Sequence, residues 1–323
     1  MIKNNIVRGI IGSLLLCFAI VQHSKADEPK YGIIKQSVIN LRVNPGFESE
    51  MATQALLGTP VRVVASDDDW LKVETPEGYL SWGTESGVKI VSKQEYDAWN
   101  AAPKLMVTGY FTVVREKPSE SSPVVADVVM GSLVKDLGKK KNYYKVELPN
   151  GKQAFLKKDQ ATPFDKWLNS RRPTAKNIIA TARLFIGFPY FWGGLSPKGL
   201  DCSGFTKNCY YLNGVVLRRD AYQQAQTGDS VDISNGYDNL KPGDLLFFGS
   251  KKDGKPRVTH VGLYIGNGHF IHSSGIVHES SLLPDSPIYD AWNTGRLLLA
   301  RRIIPEIDKD SNIVSIKKHP FYN

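Results

Sequence analysis

The chain has 323 residues, 41% of them hydrophobic, and a formal charge of +9 at neutral pH. The length accommodates two or three domains, and the apolar share excludes wholesale disorder. Lysine-rich runs such as LGKKKNYYK (137–145) read as a solvated basic face with mild attraction to anionic polymer, not as a nucleic-acid site.

Residues 1–26 read as a signal peptide. Lys3 and Arg8 form a basic start, GIIGSLLLCFAIV (9–21) is the apolar run, and SKA ending at Ala26 is a small-residue cleavage site. A run of this length falls short of the roughly 20 residues that span a bilayer. A lipid anchor on Cys17 would want a small residue before it, and Leu16 stands there. The expectation is an exported protein, periplasmic or secreted, with no membrane span after cleavage. Its charge then falls near +6, because Lys3, Arg8 and Lys25 leave with no acid.

Residues 27–97 carry short alternating runs (SVINLRV, TPVRVVA, WLKVETPEGYLSWG) broken by Gly and Pro, the pattern of a small antiparallel barrel. Residues 98–166 repeat the rhythm. VINLRVNP resembles YFTVVREKP, and KVETPEGYLSW resembles KVELPNGKQAF, so the two segments read as a divergent tandem repeat joined by KQEYDAWNAAP.

Residues 167–306 change pattern. TAKNIIATARLFIG has apolar residues at helical spacing, with Thr174 as N-cap and Gly187 beyond the end. An aromatic, glycine-rich loop (FPYFWGGLSPKGLD) leads into a second helix, CSGFTKNCYYLN, closed by Gly214, and RDAYQQAQTG holds a third, short one. Strands follow: DLLFFGS, THVGLYIGNGHFIHSSG and GRLLLARRII. Helices first and an antiparallel sheet after them predict an α+β domain. Residues 307–323 are set apart as a C-terminal tail.

Once Cys17 is removed, Cys202 and Cys209 remain. Seven residues apart on one helix, they stand about 10 Å apart along its axis, beyond disulfide reach. Cys209 reads as a buried helix position. Cys202 is either a small buried hydrophobe or a nucleophile; at a helix start, N–H groups and the dipole are expected to lower a thiol pKa. The hairpin around Asn267-Gly268 supplies a partner. If Ile265 pairs with His269, Gly262 faces His272, and His260 and His272 become diagonal neighbours on one face, roughly 7–8 Å apart. His260 can then take the thiol proton and His272 can orient His260. His269 falls on the opposite face, exposed, and His278 carries no comparable constraint. Neither CxxC nor HExxH spacing occurs, so no metal and no cofactor is expected.

These motifs, LDCSGFTKNCYYLNG and DLLFFGS…THVGLYIGNGHFIHSSG, resemble the NlpC/P60 cysteine peptidases, a papain-like group acting on bacterial cell-wall peptides. The resemblance covers about residues 172–303, and the barrels ahead of it resemble bacterial SH3-like modules. The layout is similar to the subgroup that cuts γ-D-glutamyl–diamino acid bonds in murein stem peptides. The resemblance implies an α+β, papain-like fold behind two all-β SH3-like barrels, with Cys202 as nucleophile, His260 as base and His272 as third member. It also implies a substrate, L-Ala-γ-D-Glu-diamino acid, whose free amine meets Asp201 and Glu50. Tyr190 and Trp192 would wall the pocket, Ser203 would hydrogen-bond the glutamyl carboxylate, Asp220 would be a further substrate-binding residue, and Tyr79 of the first barrel would assist. The subgroup often reads Arg-Asp-Ser where this chain has Arg219, Asp220 and Ala221, so one hydroxyl is missing. The expected protein is a monomer. Two other readings stay open: a wall-binding module whose third domain is inert or an acyltransferase, and an amidase cutting elsewhere in the wall.

Overall fold

A computed structural model describes residues 30–323; the expected signal segment lies outside the described residues. The first barrel comprises β1 (Lys30–Ile34), β2 (Val38–Arg42), β3 (Met51–Leu56), β4 (Pro60–Asp67), β5 (Trp70–Glu74), β6 (Leu80–Thr84) and β7 (Val88–Val91). Helix α1 (Lys93–Ala101) links it to the second: β8 (Lys104–Val107), β9 (Phe111–Arg115), β10 (Val124–Val129), β11 (Leu133–Lys140), β12 (Tyr143–Glu147), β13 (Gln153–Lys157) and β14 (Ala161–Pro163). The first sheet runs β3-β2-β6-β5-β4-β1-β7 and the second β10-β9-β13-β12-β11-β8-β14, the same order element for element.

Helix α1 begins on a capping box: Ser92 Oγ accepts from Glu95 N–H at 3.2 Å and Glu95 Oε2 accepts from Ser92 N–H at 2.8 Å. At its other end Lys104 Nζ donates to the carbonyls of Trp99, Asn100 and Ala102 at 2.9, 2.6 and 3.1 Å. That satisfies carbonyls the helix leaves open, and burial pulls the Lys104 pKa down to about 8. The two barrels abut where Leu133 N–H donates to Leu57 O at 2.9 Å. A Cβ on Gly58 would meet Leu133 O at 2.1 Å, and Gly58 has φ +83°, so both space and backbone require glycine there.

Helix α2 (Phe164–Ser170) leads into the third unit: α3 (Ala175–Arg183), β15 (Leu195–Ser196), β16 (Gly199–Leu200), α4 (Cys202–Tyr211), β17 (Val215–Val216), α5 (Ala221–Gln224), β18 (Asp229–Val231), β19 (Leu245–Lys252), β20 (Lys255–Gly266), β21 (His269–Ser274), β22 (Ile276–Ser281), α6 (Ala291–Thr294), β23 (Leu297–Arg302) and β24 (Val314–Ser315). Its sheet runs β18-β23-β19-β20-β21-β22. One face, through Phe247, Val261, Leu263 and Ile271, packs on Phe205 and Cys209 of α4 and Ile178 of α3. The other face holds a smaller cluster with Phe248, Tyr264 and Phe270. This is the α+β unit the sequence predicts, behind two all-β barrels.

Residues 307–323, set apart in the sequence as a C-terminal tail, pack against the rest of the chain. Val314–Ser315 pair with Val215–Val216, and Ile313, Ile316, Phe321 and Tyr322 enter the main core. Phe321 O accepts from Tyr96 Oη at 3.3 Å and Asn100 Nδ2 at 3.1 Å, while Arg62 stacks over the Phe321 ring at 4.7 Å. The segment therefore ties the first barrel and α1 to the third unit. Among the described residues no helix is long and apolar enough to cross a membrane.

Candidate active site

Cys202 opens α4, with Asp201 as N-cap: Asp201 Oδ1 accepts from Gly204 N–H at 2.6 Å. The loop passes so close that a Cβ on Gly204 would meet Gly194 O at 2.1 Å. The thiol is buried and, like that of Cys209, is not in a disulfide. Its pKa departs from expectation. Burial and then the Asp201 charge push it up to about 12, while N–H groups of Val261 and Ser203 pull it down by less. At this thiol desolvation outweighs the helix start.

The hairpin register is the predicted one in its body, Leu263↔Ile271 and Tyr264↔Phe270. A bulge then shifts the end, so that Gly266, not Ile265, faces His269. His260 Nε2 lies 2.8 Å from His272 Nδ1. Burial lowers His260 to about 4 and His272 to about 2, the latter helped by the neighbouring histidines; both are neutral near pH 7. A second bulge, where Phe248 pairs with His260 and Gly249 with Val258, leaves Thr259 unpaired. There β20 enters the cleft, which is lined by Arg257, Val258 and Thr259. Val261, whose N–H pulls the thiol pKa down, is one residue from His260. His269 is half-buried rather than exposed, with Nδ1 2.8 Å from Glu279 Oε1. His278, which the sequence left unassigned, places Nε2 3.1 Å from His272 Nε2.

A cleft of about 450 Å³ surrounds Cys202, and Glu50, Tyr79, Tyr190, Trp192, Asp201, Ser203 and Asp220 all line it. Glu50 Oε1 accepts from Trp192 Nε1 at 3.1 Å, joining the first barrel to the aromatic loop. Burial shifts the Asp220 carboxyl upward, against the opposing pull of Arg219, Tyr79 and Tyr222. Asp220 also caps α5, where Ala221 stands in place of a hydroxyl residue. Asp201 faces the cleft with both carboxylate oxygens already hydrogen-bonded. Oδ1 accepts from Gly204 N–H and from Arg219 Nη1 (3.1 Å), and Oδ2 from Gly193 N–H (2.9 Å) and Arg219 Nη2 (2.6 Å). Ser203 Oγ, 3.3 Å from Oδ1, also accepts from Arg219 Nη1 at 2.9 Å. A carboxylate has about four lone-pair directions, and here they are filled.

Arg219 is the residue that sequence reasoning passed over. It is 1% exposed, and its Nε donates to Thr53 Oγ1 of the first barrel at 2.6 Å. One guanidinium thus holds the residues on both sides of the thiol and pins them to the first barrel. The charge is compensated as buried charges must be.

A cysteine at a helix start, packed on an antiparallel sheet whose adjacent strands β20 and β21 carry a histidine pair, defines a papain-like cysteine peptidase. Residues 187–295 match the NlpC/P60 family, and residues 41–86 match the bacterial dipeptidyl-peptidase Sh3 domain. The chain is 35% identical over 266 residues to a gamma-D-glutamyl-L-lysine dipeptidyl-peptidase of Bacillus cereus, covering 80% of this chain and 76% of the relative. It is 31% identical to one of Bacillus subtilis, covering 70% and 73%. A crystal structure of an NlpC/P60 family protein from Bacillus cereus superposes with TM-score 0.71 at 29% identity, over 85% of this chain and all of that one. This chain belongs to the NlpC/P60 family of cysteine peptidases.

Proposed function

We propose that the protein hydrolyses the bond between the D-glutamate γ-carboxyl and the diamino acid of murein stem peptides, and that it requires a free N-terminal L-alanine. The observation that carries this is the cleft's composition: the first barrel sets a carboxylate, Glu50, and a phenol, Tyr79, into the pocket of Cys202. A catalytic cleft bounded on one side by another domain's acid suits a substrate that begins there with an ammonium group. The names of the two Bacillus relatives, gamma-D-glutamyl-L-lysine dipeptidyl-peptidases, agree with cleavage at that bond. Because the Asp201 oxygens already accept from Arg219, Gly193 and Gly204, the ammonium falls to Glu50, with Tyr79 and Asp220 beside it; Tyr190 and Trp192 flank the dipeptide.

In the reaction, His260 takes the Cys202 proton as sulfur attacks the γ-carbonyl. Its Nε2 is engaged by His272, so Nδ1 is the nitrogen that serves. The Cys202 backbone N–H, at the first turn where helical amides lack partners, faces the developing oxyanion. The C–N bond breaks as His260 returns the proton to the leaving amine, giving a thioester. Water, deprotonated by His260, cleaves it to L-Ala-D-Glu and regenerates the thiol. We place the enzyme outside the cytoplasm as a monomer, with residues 1–26 as its signal, acting on fragments already freed from glycan.

The test is digestion of free L-Ala-γ-D-Glu-diamino acid, its N-acetyl form and intact sacculi, followed by mass spectrometry. Release of L-Ala-D-Glu from the free tripeptide alone is expected. Cleavage of all three at similar rates would instead favour a general wall hydrolase.

A further inference from the structure

His260 can accept a thiol proton only in one of its two neutral tautomers, the one with hydrogen on Nε2 and a lone pair on Nδ1. Something must select that tautomer. A histidine partner alone does not, since each imidazole in a pair can reverse its roles.

The hydrogen-bond chain beyond the pair supplies the selection. The Ile276 carbonyl can only accept, and His278 Nδ1 lies 2.9 Å from it. That nitrogen therefore bears the hydrogen, and in the imidazole form of His278 Nε2 is the acceptor. His272 Nε2, 3.1 Å away, must then donate. Its other nitrogen, Nδ1, becomes the acceptor facing His260 Nε2 at 2.8 Å. His260 must donate from Nε2, and its Nδ1 is left with the lone pair. Every proton follows from one backbone oxygen. Two other groups sit near His272 Nε2. Ser280 Oγ, at 3.1 Å, can donate or accept, so it satisfies either arrangement and selects neither. Asp290 Oδ2, at 3.9 Å, is beyond hydrogen-bond range and already accepts from Asn293 Nδ2 at 2.6 Å.

We propose that His278 is a positioning residue: held by Ile276 O, it sets the tautomers of His272 and His260, so that His260 Nδ1 faces the thiol as a base. This rests on His260 being the base of the proposed reaction, but not on which peptide is cut.

The test uses protein labelled with ¹⁵N-histidine, in which His260, His269, His272, His278 and His319 contribute signals once residues 1–26 are removed. In wild type, His260 and His272 should both show the Nε2–H tautomer. His278→Phe removes the acceptor; His260 should become a tautomer mixture, and kcat should fall about tenfold at unchanged KM, a fraction of the 10²–10⁴ typical of general acid–base catalysis. The alkylation rate of Cys202 by iodoacetamide should fall in parallel, which reads the base without any peptide. His278→Gln keeps an oxygen acceptor and should recover much of both losses, while Ser280→Ala should cost less than His278→Phe. An Nδ1–H tautomer at His272 in wild type would overturn the proposal. So would a loss of kcat in His278→Phe with tautomers unchanged, since that is a merely structural effect.

Discussion

The two SH3-like units are nearly the same object put to different uses. β9 begins 73 residues after β2 (Phe111 against Val38), and the spacing persists through β14 and β7 (Ala161 against Val88). The turn after the second strand is built alike in both: Arg42 Nη1 donates to Ser49 O at 2.5 Å and Arg115 Nη1 to Ser122 O at 2.6 Å. The Asn44 and Lys117 amides donate to the Ser49 and Ser122 hydroxyls, each at 2.9 Å. Yet the residue after that serine is Glu50 in the first unit and Pro123 in the second, and Tyr79 corresponds to Lys152. Strand order and turn geometry were kept while the tips diverged. The scaffold is therefore not what brings the first unit into the Cys202 cleft; a few side chains do that, on a frame the second unit shares.

Mutation can break this comparison at several depths. The largest effect sets the floor: Cys202→Ala should abolish turnover while Cys209→Ala stays active, because Cys209 only fills core. Turnover persisting in Cys202→Ala would remove the cleft's claim to be the active site. His260→Ala should lose about 10²–10⁴-fold in kcat, and His269→Ala far less, since its imidazole pairs with Glu279 away from the relay. Steady-state kinetics on the free tripeptide separate the two.

The contrast between the units comes next. Glu50→Gln should cost about 10–150-fold in kcat/KM on a free-amine substrate, the equivalent of about 1.5–3 kcal/mol for one hydrogen bond to an ion. Lys152→Ala, at the position matching Tyr79, should leave kcat/KM within about twofold. Equal losses at the two sites would mean that both units bind substrate. The smallest effect is in pH dependence. His260 must be neutral to act and its pKa is lowered to about 4, so activity should hold above that pH and fall as pH drops through it. The thiol, raised to about 12, should add no limb near neutrality; an alkaline fall near about 8 would report the substrate's α-amino group. A limb near pH 6.5 assigned to His260 would contradict the burial that lowers it.

Much of this was legible in the sequence because it is local. The repeat appears as matched strings, and the His260–His272 pairing follows from the Asn-Gly turn and the period of two along a strand. His278 was legible in principle. HSSGIVH is symmetric about Gly275, and Ser274↔Ile276 with His272↔His278 is the register that results. Arg219 was not. A lone arginine gives no sign of being buried, and its partners Thr53 and Asp201 lie 166 and 18 residues away. The thiol's raised pKa was also hidden, because helix-start placement is a local property and desolvation is a property of the assembled whole.

The segment around Phe321 bears on the first unit in terms of effective concentration. That unit is joined to the peptidase covalently only through the whole second unit, yet Tyr96 and Asn100 meet Phe321 across 225 and 221 residues. The contact closes a ring in the chain, and the entropy of closing it rises only slowly with its length. With that ring closed, Glu50 and Tyr79 reach the cleft as intramolecular partners rather than as a neighbour on a long tether. Individually weak contacts at the cleft, such as one indole N–H to one carboxylate, can then hold a domain in place, because the clasp that keeps it there lies elsewhere.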